Sequence, residues 1–204
     1  WQHVSLRWQA RLFAVECVCR LLVVLEQPAH FDLYLERAKK EAGKSADCLC
    51  GRLAELVSVA FTAAAFPVEA MRPAGVAIVL DLADKFATAG DPDYEGHIIL
   101  ELYSAQISAA LRPCFAPEAQ PDLMAIGCAA TARFLLALGT SARGHQVDPA
   151  AVRKLLALLT NAAEPKAIMA LNFPEYSERA ATMVRVAALH GAAQVWHACA
   201  ARPA

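Results

Sequence analysis

Residues 121–139 read PDLMAIGCAATARFLLALG, and this stretch decides the fold class. Met124, Cys128, Thr131, Leu135 and Leu138 recur at alternating steps of four and three residues, one face of an α-helix held over four turns. Pro121 suits a first helical turn and Gly139 a C-terminal cap.

The same spacing appears on either side. Residues 8–25 place Leu12, Val15, Cys19 and Leu22 on one face, and residues 47–64 do so with Leu49, Leu53, Leu56 and Ala60, with Asp47 as an N-cap. A helix from Pro67 carries Met71, Gly75, Ile78, Leu82 and Phe86, with Pro73 predicting a late start or a kink. Residues 94–111 carry Ile98, Leu102, Ala105 and Ala109 and stop at Pro113. Asp148-Pro149 leads into Val152, Leu155, Leu156 and Leu159, and residues 175–198 carry Tyr176, Ala180, Met183 and Ala187. The charged stretch 28–45 reads as a loop or a short exposed helix. No segment alternates as a strand would. The reading is all-α.

Composition agrees. The 204 residues include 45 alanines and 25 leucines against 27 valines, isoleucines and threonines together, the balance of a helical chain. A net charge of -1 supplies no cation excess for nucleic acid or an anionic membrane. The 57% apolar content excludes intrinsic disorder. The greasy stretch 12–25 is interrupted by Glu16 and Arg20, against a membrane span. With no basic region ahead of an apolar run, the chain reads as a piece of a cytosolic protein.

Helices rich in small residues start near 8, 67, 121 and 175, at intervals of 59, 54 and 54 residues, and one further helix falls between each pair. Such alternation predicts an α-solenoid of HEAT-like antiparallel helix pairs, with residues 1–204 as a single segment of a longer solenoid. A four-helix bundle fits seven helices poorly.

Residues 8–17 (WQARLFAVEC), 96–103 (GHIILELY) and 109–115 (AALRPCF) together resemble the HEAT-repeat-containing protein 5 family, that of the clathrin-adaptor large accessory protein and Sweetie. Residues 84–88 (DKFAT) and Pro121-Asp122 follow the same order, and the resemblance runs from about Trp8 to Leu138. Leu102 and the extra cysteines depart from the family's pattern. The resemblance implies a non-enzymatic scaffold without cofactors, cytoplasmic and peripherally associated with trans-Golgi and endosomal vesicles. Its implied partners are clathrin-adaptor or accessory subunits and further repeats of its own chain. Membrane contact would come only through those partners, nucleic acid is not expected, and a homodimer is compatible with the reading. The residues that carry the resemblance are Trp8, Arg11, Phe13, Ala14, Glu16, Gly96, His97, Leu100, Tyr103, Arg112 and Pro113, and they read as packing and turn signals.

Seven cysteines are an odd number, and Cys17, Cys19, Cys48, Cys128 and Cys199 read as buried structural thiols. The spacing Cys17-x-Cys19 and Cys48-x-Cys50 suits zinc poorly, because helical residues two apart point away from each other. His190 and His197 share a helical face and support a remote metalloenzyme reading. His3, His30 and His145 fall in loops or ends, and His97 reads as a turn residue bonding to a neighbouring loop. Asp91 with Asp93 suits a turn, and Asp81 with Asp84 a solvated helix face. Residues 139–144 resemble a glycine-rich loop only loosely. Arg37, Lys39, Lys40 and Lys44, balanced by Glu36 and Glu41, read as a solvated cluster. Trp1, Trp8 and Trp196 read as core or inter-repeat packing. An unrelated HEAT or armadillo scaffold, or a transport receptor, is the alternative function.

Overall fold

A computed structural model describes residues 7–44, 48–139, 149–164 and 178–201. Within them the chain forms eight α-helices: α1 (Trp8–Val24), α2 (Leu33–Glu41), α3 (Leu53–Ala64), α4 (Arg72–Lys85), α5 (Ser104–Leu111), α6 (Pro121–Gly139), α7 (Pro149–Ala163) and α8 (Glu178–Ala200). Short 3-10 turns lead into α3, α4 and α5. Among the described residues there is no β-strand, only an isolated antiparallel bridge between Gly90 and Ile98. The caps predicted at Asp47 and Asp148, the loop 140–148, Trp1, His3, His145 and Tyr176 lie outside the described residues.

The helices stack in two layers. In the A layer α1 packs on α4, α4 on α6, and α6 on α8. In the B layer α3 packs on α5, and across the layers α3 lies on α4 while α7 lies on α6 and α8. This is an all-α solenoid with the alternation of two helix types read from the sequence, except that two helices, α2 and α3, fall between α1 and α4. The interval is less even than predicted: A-layer helices start at Trp8, Arg72, Pro121 and Glu178, spaced by 64, 49 and 57 residues.

Local chemistry explains the shifts. Pro73 sits in the first turn of α4, so that helix starts late rather than kinking. α5 begins at Ser104, well after Tyr94, because Gly96 turns the chain at φ 89° and the bridge to Gly90 holds Ile98 extended. The charged stretch after α1 does form a short helix, α2. Asp32 caps it by accepting from Leu35 N at 3.0 Å, and Glu36 early with Lys39 and Lys40 late complement its dipole.

α6 is the centre of the core, with eleven of its 19 residues buried between α4, α7 and α8. It is also the described helix that is long and apolar enough to cross a membrane, a candidate the sequence reading passed over; 61% of that stretch is buried within the protein. At the other end of the core, Phe31 meets Phe86 edge-on at 5.3 Å, and Lys85 Nζ donates to Leu25 O at 3.0 Å, closing the last turn of α1 against α4.

Helices α3 and α4 meet backbone to backbone. A Cβ on Gly75 would fall 2.3 Å from Ala64 N and 2.8 Å from Ala60 O. Neither atom can retreat without bending α3. Gly75→Ala is therefore expected to lower the unfolding free energy by roughly 1–3 kcal/mol or more, despite alanine's better helix propensity. Urea denaturation of both chains measures this, and an unchanged or raised midpoint would contradict the close approach.

Candidate interaction surfaces

The two outermost A-layer helices differ from the two interior ones, α4 and α6. α1 buries only Val15 and Leu22, and Phe13 is 63% and Val24 78% exposed. α8 buries Val184, Ala188 and Gly191, and leaves Val186 60% and Trp196 77% exposed. Large apolar side chains thus face outward at both ends of the described stack.

Two grooves adjoin helices of the B layer. One, of about 370 Å³, runs between α1 and α3; Arg11, Ala14, Val15 and Val18 line one side and Ser58, Val59, Thr62 and Ala63 the other. The Arg11 guanidinium stands over the Phe66 ring at 5.9 Å. A second, of about 740 Å³, lies between α5 and α7 and includes Arg112 and Lys154 with Leu155 and Leu158.

The start of the stretch 96–103 pairs with residues 89–91 to close a turn, and residues 91–93 of that turn anchor α2. Asp91 N donates to His97 O at 2.9 Å and Ile99 N to Ala89 O at 2.9 Å. His97 Nδ1 lies 2.6 Å from Glu101 Oε2, and Tyr94 packs on the His97 ring edge-on. Tyr34 of α2 donates to Asp91 O at 3.2 Å, and Arg37 reaches Pro92 O at 3.1 Å and Asp93 Oδ1 at 2.8 Å. Asp91 is 2% exposed, and its Oδ1 accepts from Asp93 N at 2.8 Å, an Asx turn. A small cavity of about 190 Å³ adjoins it, lined by Asp91, Tyr94, His97, Ile98, Glu101 and Leu102.

The residues singled out in the sequence are not one constellation. Trp8 is half-buried, while Arg11, Phe13, Ala14 and Glu16 are exposed along α1. Leu100 is buried, Gly96, His97, Tyr103 and Pro113 are half-buried, and Arg112 is exposed. Several other readings need correction. Cys17 and Cys199 are exposed rather than buried. Trp196 lies open to solvent. Asp81 is half-buried and its carboxyl is held above the usual range, first by desolvation and then by Asp84, against the pull of Lys85; Asp84 instead pairs with Arg133 at 3.3 Å. In the basic cluster Arg37, Lys40 and Lys44 are exposed, as read, and the departure is Glu36, which is buried and pairs with Lys40, while Arg37 pairs with Glu41 and Asp93.

Thiol chemistry is muted by burial. Desolvation pushes the Cys114 and Cys128 thiols up to about 12, and Cys50 up to about 11 with help from the charges of Glu36 and Cys48. Among the described residues no three His, Cys, Asp or Glu side chains group as a metal site. His190 and His197 are both exposed on α8, and His190 pairs with Gln194 at 2.9 Å.

The arrangement is a helical stack with apolar end faces and grooves, and the family comparison agrees with it. The family model for the Laa1/Sip1/HEATR5 HEAT repeat region matches residues 48–204. The chain belongs to that family. Among curated relatives, Protein SWEETIE of Arabidopsis thaliana is 30% identical over 187 residues, covering 89% of this chain and 8% of that protein. The AP-1 accessory protein LAA1 of Saccharomyces cerevisiae is 26% identical over 131 residues, covering 64% of this chain and 6% of that protein. The chain thus spans less than a tenth of these relatives. No solved structure matches it. The Laa1/Sip1/HEATR5 match opens at the turn into α3, so it takes in the 96–103 turn and leaves α1 and α2 outside.

Sequence reasoning missed the α1–α3 groove and the clasp of Tyr34 and Arg37 on residues 91–93. The groove had a signal: Val59 is apolar yet off the buried stripe of its helix, and it is 37% exposed. The clasp had none, because its partners are more than fifty residues apart.

The buried thiols give this Laa1/Sip1/HEATR5 segment an alkaline limit. In the unfolded chain they ionise near 9.0; in the folded chain Cys114 and Cys128 stay neutral until about 12. The unfolded state sheds protons first, so the stabilisation is full below pH 9 and falls as pH rises toward 12. The slope approaches about 1.4 kcal/mol per pH unit for each thiol. Urea denaturation between pH 8 and 10.5 should show this loss, and Cys114→Ala with Cys128→Ala should make it shallower, with Cys50 carrying part of what remains. An equal slope in the double variant would refute the assignment.

Proposed function

We propose that residues 1–204 are one segment of a longer HEAT solenoid that works as a non-enzymatic scaffold in clathrin-adaptor traffic between endosomes and the trans-Golgi network. The observation that carries the reading is the pair of outward apolar faces on α1 and α8, at the two ends of a two-layer stack. In a solenoid each repeat buries its face against the next, so such faces are seats for neighbouring repeats. Family membership and the AP-1 accessory relative support the trafficking role. The scaffold is cytoplasmic and reaches vesicle membranes through its partners, which are type-1 clathrin-adaptor subunits or their accessory proteins. Binding along an extended surface needs no cofactor and no nucleophile. A homodimer is compatible with it.

Affinity capture of the full-length protein from cytosol and membrane fractions tests this. Recovery of type-1 clathrin-adaptor subunits, reduced when the helix pair at residues 121–163 is replaced by a heterologous HEAT pair, is the expected result. Repeated capture without adaptor or accessory subunits would overturn the trafficking role.

A further inference from the structure

The B-layer helices α3 and α7 each lean on the A-layer helix that follows in the chain, α3 on α4 and α7 on α8. Carried one step toward the start of the stack, the same arrangement puts a B-layer helix against α1, beside α3. That place is the groove of about 370 Å³ between those two helices. We propose that the groove is the seat of one B-layer helix of the parent chain, the one preceding α1. This rests on the longer-solenoid reading and specifies what fills its open edge.

Three features of the groove select this occupant. Its α1 wall runs from Arg11 to Val18, roughly two helical turns or about 10 Å, a length matched by a helix lying alongside. Ala14, Ser58, Thr62 and Ala63 are small, which lets a second backbone approach closely, as Gly75 does between α3 and α4. Arg11 is the one charged residue in the lining, stacked on Phe66, so the incoming helix presents a carboxylate there and small apolar residues elsewhere. A second copy stacked end to end fits less well. The first and last described helices, α1 and α8, both belong to the A layer, whereas the seat calls for a B-layer helix.

A photo-crosslinking residue at Val59, exposed at the groove, tests the assignment in the full-length parent, with a second probe at Trp196 in a separate sample. The Val59 probe is expected to link to a helix of the same chain N-terminal to Trp8, and the Trp196 probe to residues following the segment. Adding Ala14→Arg should cut the Val59 link several-fold. Because Ala14 is exposed, that change should leave the Trp196 link in the same full-length parent unaltered. A Val59 link to another protein, to a second copy or to nothing, with the Trp196 link intact, would overturn the seat and leave the solenoid reading standing. Loss of both links would overturn the two together.

Discussion

The burial of α6 on nearly every side is the constraint on which the rest of the structure depends. A helix can touch α4, α7 and α8 at once only if its surface is mostly small, and Gly127, Cys128, Ala130, Thr131 and Ala132 supply that surface. The contacts are close: a Cβ on Gly127 would overlap the Cys114 side chain, and one on Gly191 of α8 would meet Ala132 Cβ at 3.0 Å. Leu123, Phe134, Leu135 and Leu138 then fill the spaces between the helices. Close backbones with larger side chains at the seams give a dense interior, in which any added methyl must displace a neighbour.

That constraint explains why the A layer was legible in the sequence. Small residues at helical spacing mark a helix with neighbours on more than one side, and α4, α6 and α8 all carry the mark. The B layer was less plain. α5 is only eight residues long, and the apolar run before it belongs to a bridge and a 3-10 turn. An apolar run of that length fits several backbone geometries, and Gly96 with its positive φ decides among them. Glu36 shows the opposite failure: a charged residue in a charged stretch is buried because Lys40 pairs with it beside Gly51. Periodicity reports one helix against its surroundings and carries no information about which surroundings arrive.

The candidate surfaces were legible to the same degree. The stretch 8–17 could be read as helical, but not that Phe13 and Ala14 would remain uncovered. Exposure is a property of the stack, and it changes with the number of repeats. The clasp between α2 and residues 91–93 depends on Tyr34 and Arg37 meeting backbone carbonyls more than fifty residues away, a pairing that no local pattern encodes.

The uncovered end faces bear on how the fold holds together. A 17-residue helix is marginal alone in water, and most helical stability in proteins comes from packing. α1 buries two side chains, so its order depends on a narrow seam with α4, helped by the Lys85 bond to the carbonyl of Leu25, its C-cap. In a quasi-one-dimensional stack, stability adds through neighbours, and an edge repeat has one fewer of them. The core around α6 is complete within the described residues, whereas α1 and α8 each have one satisfied side and one apolar side in water. Additional repeats would therefore stabilise the end helices more than the centre, which already has its neighbours.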